Sequence, residues 1–196
     1  MCKRDMARQR GREFAGKHYS DEMRARVAVL NLLVISCVLT ACSSAVAPQT
    51  WAASVCQALT PWRAEITTLN QNAETEMAAT RTPADTRTHI LALLSGAEKA
   101  TEKARAEVAA AGVPDVDGGA VIEKRFVAAL VAVRNAYQQA ETTIGALPTA
   151  DAGTFYDGVG AAMTKLNADY AKSGVDTSQL ASTELQADFD KVPACR

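Results

Sequence analysis

Aromatic residues are scarce in this 196-residue chain, which has two Trp, four Tyr and four Phe. Segments in which β-branched and polar residues alternate, as half-buried strands require, are hard to find. Alanine, the residue with the highest helix propensity, is abundant instead. The composition therefore predicts an all-α fold, in a chain long enough for one domain with a buried core.

A concentration of positive charge is missing from most of the chain. From Cys42 onward, 13 Lys and Arg side chains stand against 18 Asp and Glu side chains, a net charge of −5. Proteins that bind nucleic acid present a basic patch to the phosphates, so we expect no nucleic-acid partner. The first 26 residues differ, with eight basic and four acidic side chains, which indicates a separate segment.

No recognisable catalytic set is present. After Cys42 the chain has a single histidine, His89, one helical turn after Asp85, and no third ligand or nucleophile is indicated. Glu98 and Glu102 are also one turn apart, but the neighbouring basic residues favour solvated ion pairs. We therefore expect a protein that is not an enzyme and has no metal or cofactor.

Three further patterns have simpler structural interpretations. The pairs Tyr156-Asp157 and Asp169-Tyr170 could line a groove, although tyrosines at the margin of a core are the favoured interpretation. Gly158 and Gly160 lack the Lys-Ser/Thr of a phosphate loop. Trp51 and Trp62, three turns apart on one helix face, are expected to be core anchors rather than a ligand cage.

Residues 23–41 have the organisation of a secretory signal peptide. Arg24 and Arg26 precede a twelve-residue apolar run from Val27 to Val38. Such a run rises about 18 Å as a helix, short of the roughly 30 Å hydrocarbon thickness, so a permanent transmembrane helix is the weaker alternative. Because Met23 is itself a suitable start, residues 1–22 are either an over-extended gene start or a disordered cytoplasmic segment.

The signal peptide ends in Leu39-Thr40-Ala41-Cys42, which resembles the lipobox of bacterial lipoproteins at all four positions. The resemblance implies that a dedicated signal peptidase recognises Leu39, Thr40 and Ala41, that it cuts before Cys42, and that Cys42 receives a diacylglyceryl group. Lipoprotein-processing enzymes and the membrane are the implied partners. The implied location is the extracytoplasmic face of the cell membrane, since two acyl chains anchor stably. A chance cysteine after an ordinary cleavage site is the alternative.

Residues 51–196 have the periodicity of a helical bundle, and residues 42–50 are expected to be a lipidated tether. Apolar residues at steps of three and four predict four main helices, with a kink in the first at Pro61. These run from Trp51 to Met77, from Thr82-Pro83 to Gly112, from Ile122 to Ile144, and from Asp151 or Thr154 to Ser173. A shorter helix is expected over Thr177–Val192. Short connections favour an up-down antiparallel bundle.

Two of the five cysteines are left for the folded domain. Cys2 and Cys37 precede the cleavage site and Cys42 takes the lipid, which leaves Cys56 and Cys195. An exported chain with two remaining thiols most simply joins them in a disulfide. A free redox-active pair and an intermolecular bond are the alternatives, and no Cys-x-x-Cys spacing supports them.

The lipobox, the alanine-rich helical domain and the segments Trp51–Cys56 and Val192–Cys195 together resemble small actinobacterial lipoproteins of unassigned function. The resemblance implies a location and a shape but no active site. The leading hypothesis is a non-enzymatic binding or interaction module with an envelope protein as its partner. The alternative is a carrier or sensor of a small apolar ligand held between helices, where the alanine-rich stripes leave room.

Overall fold

The computed structural model describes residues 45–79, 82–175 and 182–195, and every regular element in these ranges is helical. The elements are α1 (Pro48–Ala79), α2 (Pro83–Ala110), α3 (Gly119–Gly145), α4 (Ala152–Lys172), α5 (Thr183–Lys191) and a 3₁₀ turn (Pro193–Cys195). The predicted all-α bundle of four main helices and a short C-terminal one is confirmed. The signal peptide predicted over residues 23–41 lies outside the described ranges.

Neighbouring helices pack against each other in chain order, α1 on α2, α2 on α3 and α3 on α4, while α5 and the 3₁₀ turn pack on α1. Contacts between α1 and the segment from Pro83 to Gly112 show that the two run antiparallel, because the residue numbers rise along α1 while those of their partners fall. The pairs are Trp51 with Gly112, Trp62 with Thr101 and Glu76 with His89. None of the helices in the described ranges is both long and apolar enough to cross a membrane.

The core is built from the apolar stripes that the sequence predicts. An aromatic cluster lies where α1, α3 and α5 meet: the ring of Trp51 meets Phe126 edge to face at 5.2 Å, and Phe126 stacks on Phe189 at 6.1 Å. Leu185 of α5 is fully buried beside this cluster. Burial of a side chain of this size contributes about 1.5–3 kcal/mol, which explains why so short a helix docks on the bundle.

Helix α1 continues through Pro61, as the unbroken phase of its apolar stripe predicts. Proline has no amide hydrogen, so the carbonyl of Gln57 lacks its partner within the helix. Pro61 lies on the exposed side of α1, where that carbonyl can be solvated. The starts of α2 and α4 are capped at the predicted residues, with the side chains of Thr82 and Asp151 accepting from the amides of Asp85 and Thr154.

Glycine makes the tight connection between α2 and α3 possible. Gly118 adopts the left-handed conformation with φ of 70°, directly before α3 begins. A Cβ atom at Gly119 would collide with the carbonyl oxygen of Pro114. The loop of residues 112–118 is therefore held close to the first turn of α3.

The expected tether of residues 42–50 is too long, and this is a correction. The amide of Val46 donates to the carbonyl of Val113 at 2.8 Å, and the amide of Asp115 donates to the carbonyl of Val46 at the same distance. Helix α1 then begins at Pro48, three residues before Trp51. Helix α1 can begin at Pro48 because proline suits the first helical position. The backbone partners of Val46 lie in the loop after α2, which the sequence pattern does not reveal.

The predicted C-terminal helix is also longer than the one observed. Ser182 caps α5, its side chain accepting from the amide of Leu185, and the helix runs to Lys191 rather than to Val192. The first part of the predicted span, residues 177–181, lies outside the described ranges.

Candidate functional site

The four residues of the predicted lipidation site, Leu39, Thr40, Ala41 and Cys42, lie outside the described ranges. What the structure does describe is the domain that follows them. Three features of it are relevant to function: a disulfide-clamped end, a set of surface grooves, and a few interacting charged and tyrosine side chains.

Cys56 and Cys195 are joined by a disulfide whose Cα atoms are 5.1 Å apart, across a sequence separation of 139 residues. Cys56 lies on the buried side of α1 and Cys195 ends the 3₁₀ turn. Beside the bond, the hydroxyl of Thr60 donates to the carbonyl of Ala194 at 2.8 Å. The C-terminus is thus fixed to the first half of α1 by a covalent bond and a hydrogen bond.

The beginning of the domain is fixed at the same end of the bundle. Besides the two backbone hydrogen bonds of Val46, the indole nitrogen of Trp51 donates to the carbonyl oxygen of Gly112 at 2.8 Å. Trp51 is fully buried, so this bond also orients the first turn of α1 against the end of α2. We call residues 45–47 and 112–118 the loop end of the bundle.

A surface groove with a volume of about 730 Å³ lies between α3 and α4. Its floor is formed by Ala132 and Ala136, and most of its walls are neutral hydrogen-bonding side chains. Those wall residues are Asn135, Gln138, Gln139, Thr142, Thr143 and Ser173. Asp169 and Lys172 add one charge of each sign.

A second groove, of about 510 Å³, lies between α1 and α2. Small residues of both helices, among them Ala58, Ala100 and Ala104, line it together with the rings of Pro61 and Trp62. The indole of Trp62 is held by a hydrogen bond of 3.0 Å to the hydroxyl of Thr101. Its volume is within the range of small-molecule sites, and its lining is the more apolar of the two grooves.

A smaller hollow of about 280 Å³ adjoins the disulfide and is lined in part by Arg63, Gln186 and Phe189. The side-chain oxygen of Gln186 is buried there without a hydrogen-bond partner among the described residues. A buried carbonyl oxygen without a partner is destabilising, so this hollow favours a water or another donor.

Two acidic residues of α2, Glu98 and Glu102, interact with side chains of α3. Glu102 accepts from Arg105 at 2.6 Å and from Arg134 of α3 at 2.8 Å, and these hydrogen bonds lower the pKa of Glu102 to about 2. Burial, followed by the charge and hydrogen bonding of Glu98, raises the pKa of Glu141 on α3, while the charge of Lys99 opposes the shift. Glu98 and Glu102 therefore do not form the pair that their spacing suggests.

His89 and Asp85 do not form a pair either. The Nδ1 atom of His89 lies 2.8 Å from a carboxylate oxygen of Glu76 on α1, while Asp85 accepts from the hydroxyl of Thr82 at the helix start. Both arrangements are structural: one joins α1 to α2 and the other caps α2. No group of three or more His, Cys, Asp or Glu side chains that could hold a metal occurs in the described part of the chain.

The tyrosines lie at the margin of the core, as expected. Burial, and then the charge of Tyr170, raises the pKa of Tyr137 on α3 to about 12. Burial raises the pKa of Tyr170 on α4, and the charge of Arg63 on α1 opposes that shift. Tyr156 is 48% exposed, and its hydroxyl lies 3.3 Å from the hydroxyl of Thr86.

Sequence reasoning missed Glu141 and Arg134 as interaction partners of α2. The two residues are seven positions apart on α3, a spacing that puts them on one helix face. That spacing was visible in the sequence, but the facing residues Glu98 and Glu102 could be assigned only once the register between α2 and α3 was known.

No protein-family description, curated protein or solved structure matches this chain.

Proposed function

We propose that the protein is a lipid-anchored lipoprotein of the bacterial cell envelope. The observation that supports this proposal is the order of residues 23–42: a basic start, an apolar run of twelve residues, and Leu39-Thr40-Ala41-Cys42 at its end. The diacylglyceryl group on Cys42 holds the domain on the extracytoplasmic face. The lipobox, the alanine-rich helical domain and the segments Trp51–Cys56 and Val192–Cys195 resemble those of small actinobacterial lipoproteins.

We further propose that the helical domain is a non-enzymatic interaction module with an envelope protein as its partner. Two properties of the described residues support this role. The described domain is fixed at its beginning by the backbone bonds of Val46 and near its end by the disulfide, as suits a rigid recognition surface. The candidate acid and histidine pairs of the sequence serve helix capping and helix packing instead of meeting in a cleft.

The anchor is tested by comparing Cys42→Ala with Cys37→Ala, expressed from the full chain in a bacterial host. Both variants remove one thiol from the same segment, but only Cys42 carries the proposed lipid. Cys37→Ala should remain in the membrane fraction with a mature mass that includes diacylglycerol. Cys42→Ala should lose that mass and the detergent-phase partitioning. Equal partitioning of the two variants would exclude the anchor.

The interaction role is tested by crosslinking in cells followed by mass spectrometry. A reproducible envelope protein crosslinked to the domain, and absent with an unrelated lipoprotein of similar abundance, is the expected result. A domain that crosslinks to no protein but copurifies with a small molecule would contradict the proposal.

The groove between α1 and α2 favours one alternative, a carrier or sensor of a small apolar ligand. Its lining combines alanines and the rings of Pro61 and Trp62 with Gln57 and four charged side chains, and the apolar part of this lining accommodates an apolar body of limited size. Ala100→Leu would fill this groove from α2, and Ala132→Leu would fill the polar groove as a matched control. Native mass spectrometry of the purified protein should show a bound molecule that Ala100→Leu alone displaces; an empty wild-type protein would exclude the alternative.

A further inference from the structure

The position at which the folded domain begins limits how far it can lie from a lipid on Cys42. Cys42 precedes Val46 by four residues, and four residues of extended chain reach at most about 14 Å. Val46 is not part of a free linker, because its amide and carbonyl both bond to the loop after α2. A lipid on Cys42 therefore holds the loop end of the bundle close to the membrane surface.

The opposite end of the bundle is far from this point. Helix α1 has 32 residues and extends about 48 Å. Where it ends, the guanidinium of Arg87 at the start of α2 donates to the carbonyl of Leu147 at 3.1 Å, and Thr86 meets Tyr156 of α4. These contacts bring the start of α2, the start of α4 and residues 146–151 together. We call this group the turn end.

Charge disfavours a domain that lies flat on the membrane. The chain from Cys42 onward has a net charge of −5. Bacterial membranes that are rich in anionic lipid repel such a domain within a Debye length of about 8–10 Å. A body that is tethered at one end and repelled along its length stands away from the surface.

We propose that the bundle stands upright on the membrane, with the loop end toward the lipid headgroups and the turn end outward. The proposal rests on the lipidation of Cys42 proposed above and adds the orientation that follows from the fold. The turn end, with the exposed ring of Tyr156, is then the surface offered to molecules farther out in the envelope. The disulfide lies in the half of α1 nearer the membrane.

Neutron reflectometry on a supported bilayer containing anionic phosphatidylglycerol tests the orientation. The sample is the mature protein purified from bacterial membranes, and its intact mass is measured first. An upright bundle gives a protein layer about 45–50 Å thick, whereas a flat one gives about 20–25 Å for two layers of helices. A mass without the lipid overturns the proposed anchor and the orientation with it; a lipidated protein in a thin layer overturns the orientation alone.

A variant with ten Gly and Ser residues inserted after Ser44 provides the second measurement. The insertion leaves Val46 and its partners unchanged but lengthens the link to the lipid severalfold. The variant layer should lose its fixed orientation, seen as a thinner or more diffuse profile or as a water-filled gap above the headgroups. A profile identical to that of the wild type would show that the short link does not orient the domain, and would overturn the proposal.

Discussion

The indole nitrogen of Trp51 donates a hydrogen bond of 2.8 Å to the carbonyl oxygen of Gly112, 61 positions farther along the chain. It joins the first turn of α1 to the loop that follows α2, beside the backbone bonds of Val46. The same indole ring packs edge to face on Phe126 and on Phe189. One side chain thus connects the start of the domain with α3 and with the C-terminal helix.

Trp51→Phe should destabilise the domain by about 1–3 kcal/mol, because it leaves the carbonyl of Gly112 without its donor and removes part of a buried ring. Urea denaturation followed by circular dichroism measures the change. Hydrogen exchange at the amide of Asp115, which bonds to Val46, should become faster.

Trp62→Phe is the matched control for this prediction. It removes an indole of the same helix whose partner, Thr101, retains its own bond of 2.7 Å to the carbonyl of Ala97. The Asp115 amide should exchange in this variant as in the wild type. Faster exchange at Asp115 in both variants would indicate general loosening and contradict the local role of Trp51.

Removal of the disulfide should lower stability considerably. The bridge closes a loop with a sequence separation of 139 residues, and on the chain-entropy model its loss costs about 4–5 kcal/mol. The double variant Cys56→Ala with Cys195→Ala should therefore unfold at a lower urea concentration than the oxidised wild type. Reductant should lower the midpoint of the wild type and leave that of the double variant unchanged. An oxidised wild type that is insensitive to reductant would contradict the prediction.

Glu141→Gln should stabilise the protein at neutral pH. A carboxyl whose pKa is raised in the folded state binds its proton more tightly there than in the unfolded chain, so its contribution is favourable at acidic pH and is lost as pH rises. The gain at pH 7 should be about 0.2–0.5 kcal/mol, as for like-charge pairs on helices. The variant should also show less change in stability between pH 7 and pH 5 than the wild type.

Glu107→Gln serves as the control for Glu141→Gln, since Glu107 is an exposed carboxylate of α2 whose partner is Lys103. Glu107→Gln should give no increase in stability at pH 7. If Glu98→Gln and Glu141→Gln each stabilise the protein and the double variant gains their full sum, the two carboxylates do not interact, and our interpretation of the pair is wrong.

Tyr137→Phe should make the protein more resistant to alkali. The folded pKa of Tyr137 is raised to about 12 from the ordinary value of 10, so the unfolded chain loses this proton first and stability falls between these two pH values. This rise in the pKa corresponds to about 2–3 kcal/mol of folding stability, all of which is lost as the pH rises toward 12. The difference in stability between pH 9 and pH 11.5 should shrink in the variant.

Tyr156→Phe removes a hydroxyl from an exposed tyrosine and is the control for alkaline unfolding. Its stability should depend on pH above 9 as that of the wild type does. Equal effects of the two substitutions would mean that burial of Tyr137 does not govern the alkaline transition.

The apolar residues at steps of three and four were sufficient to predict the main helices, because this spacing puts them on the one face of a helix that the core buries. Thr82-Pro83 and Asp151 predicted two helix starts, since capping depends on residues within one turn. The position of α5 could not be predicted in this way. It depends on Phe189 reaching Trp51 and Phe126, residues more than 60 positions away.

The candidate site was less predictable than the fold. The spacing of Glu98 and Glu102 within α2 indicated ion pairs with neighbouring basic residues, and Glu102 does accept from Arg105 of the same helix. The second partner of Glu102, Arg134, and the Glu141 carboxyl that interacts with Glu98 lie on α3 and could not be assigned from this spacing. His89 bonds to Glu76 rather than to Asp85 for the same reason. Neighbours within a helix are set by the sequence, but neighbours across helices depend on register, which packing alone determines.

The sequence by itself determined the class of the fold, the capped starts of α2 and α4, and the lipobox-like segment on which the proposed anchor rests. Each depends on residues within a few turns of one another. Only the tertiary structure decided that Val46 belongs to the folded domain and that its partners lie in the loop after α2. Every residue except proline carries the same backbone donor and acceptor, so the sequence does not show which backbone groups will pair across the bundle.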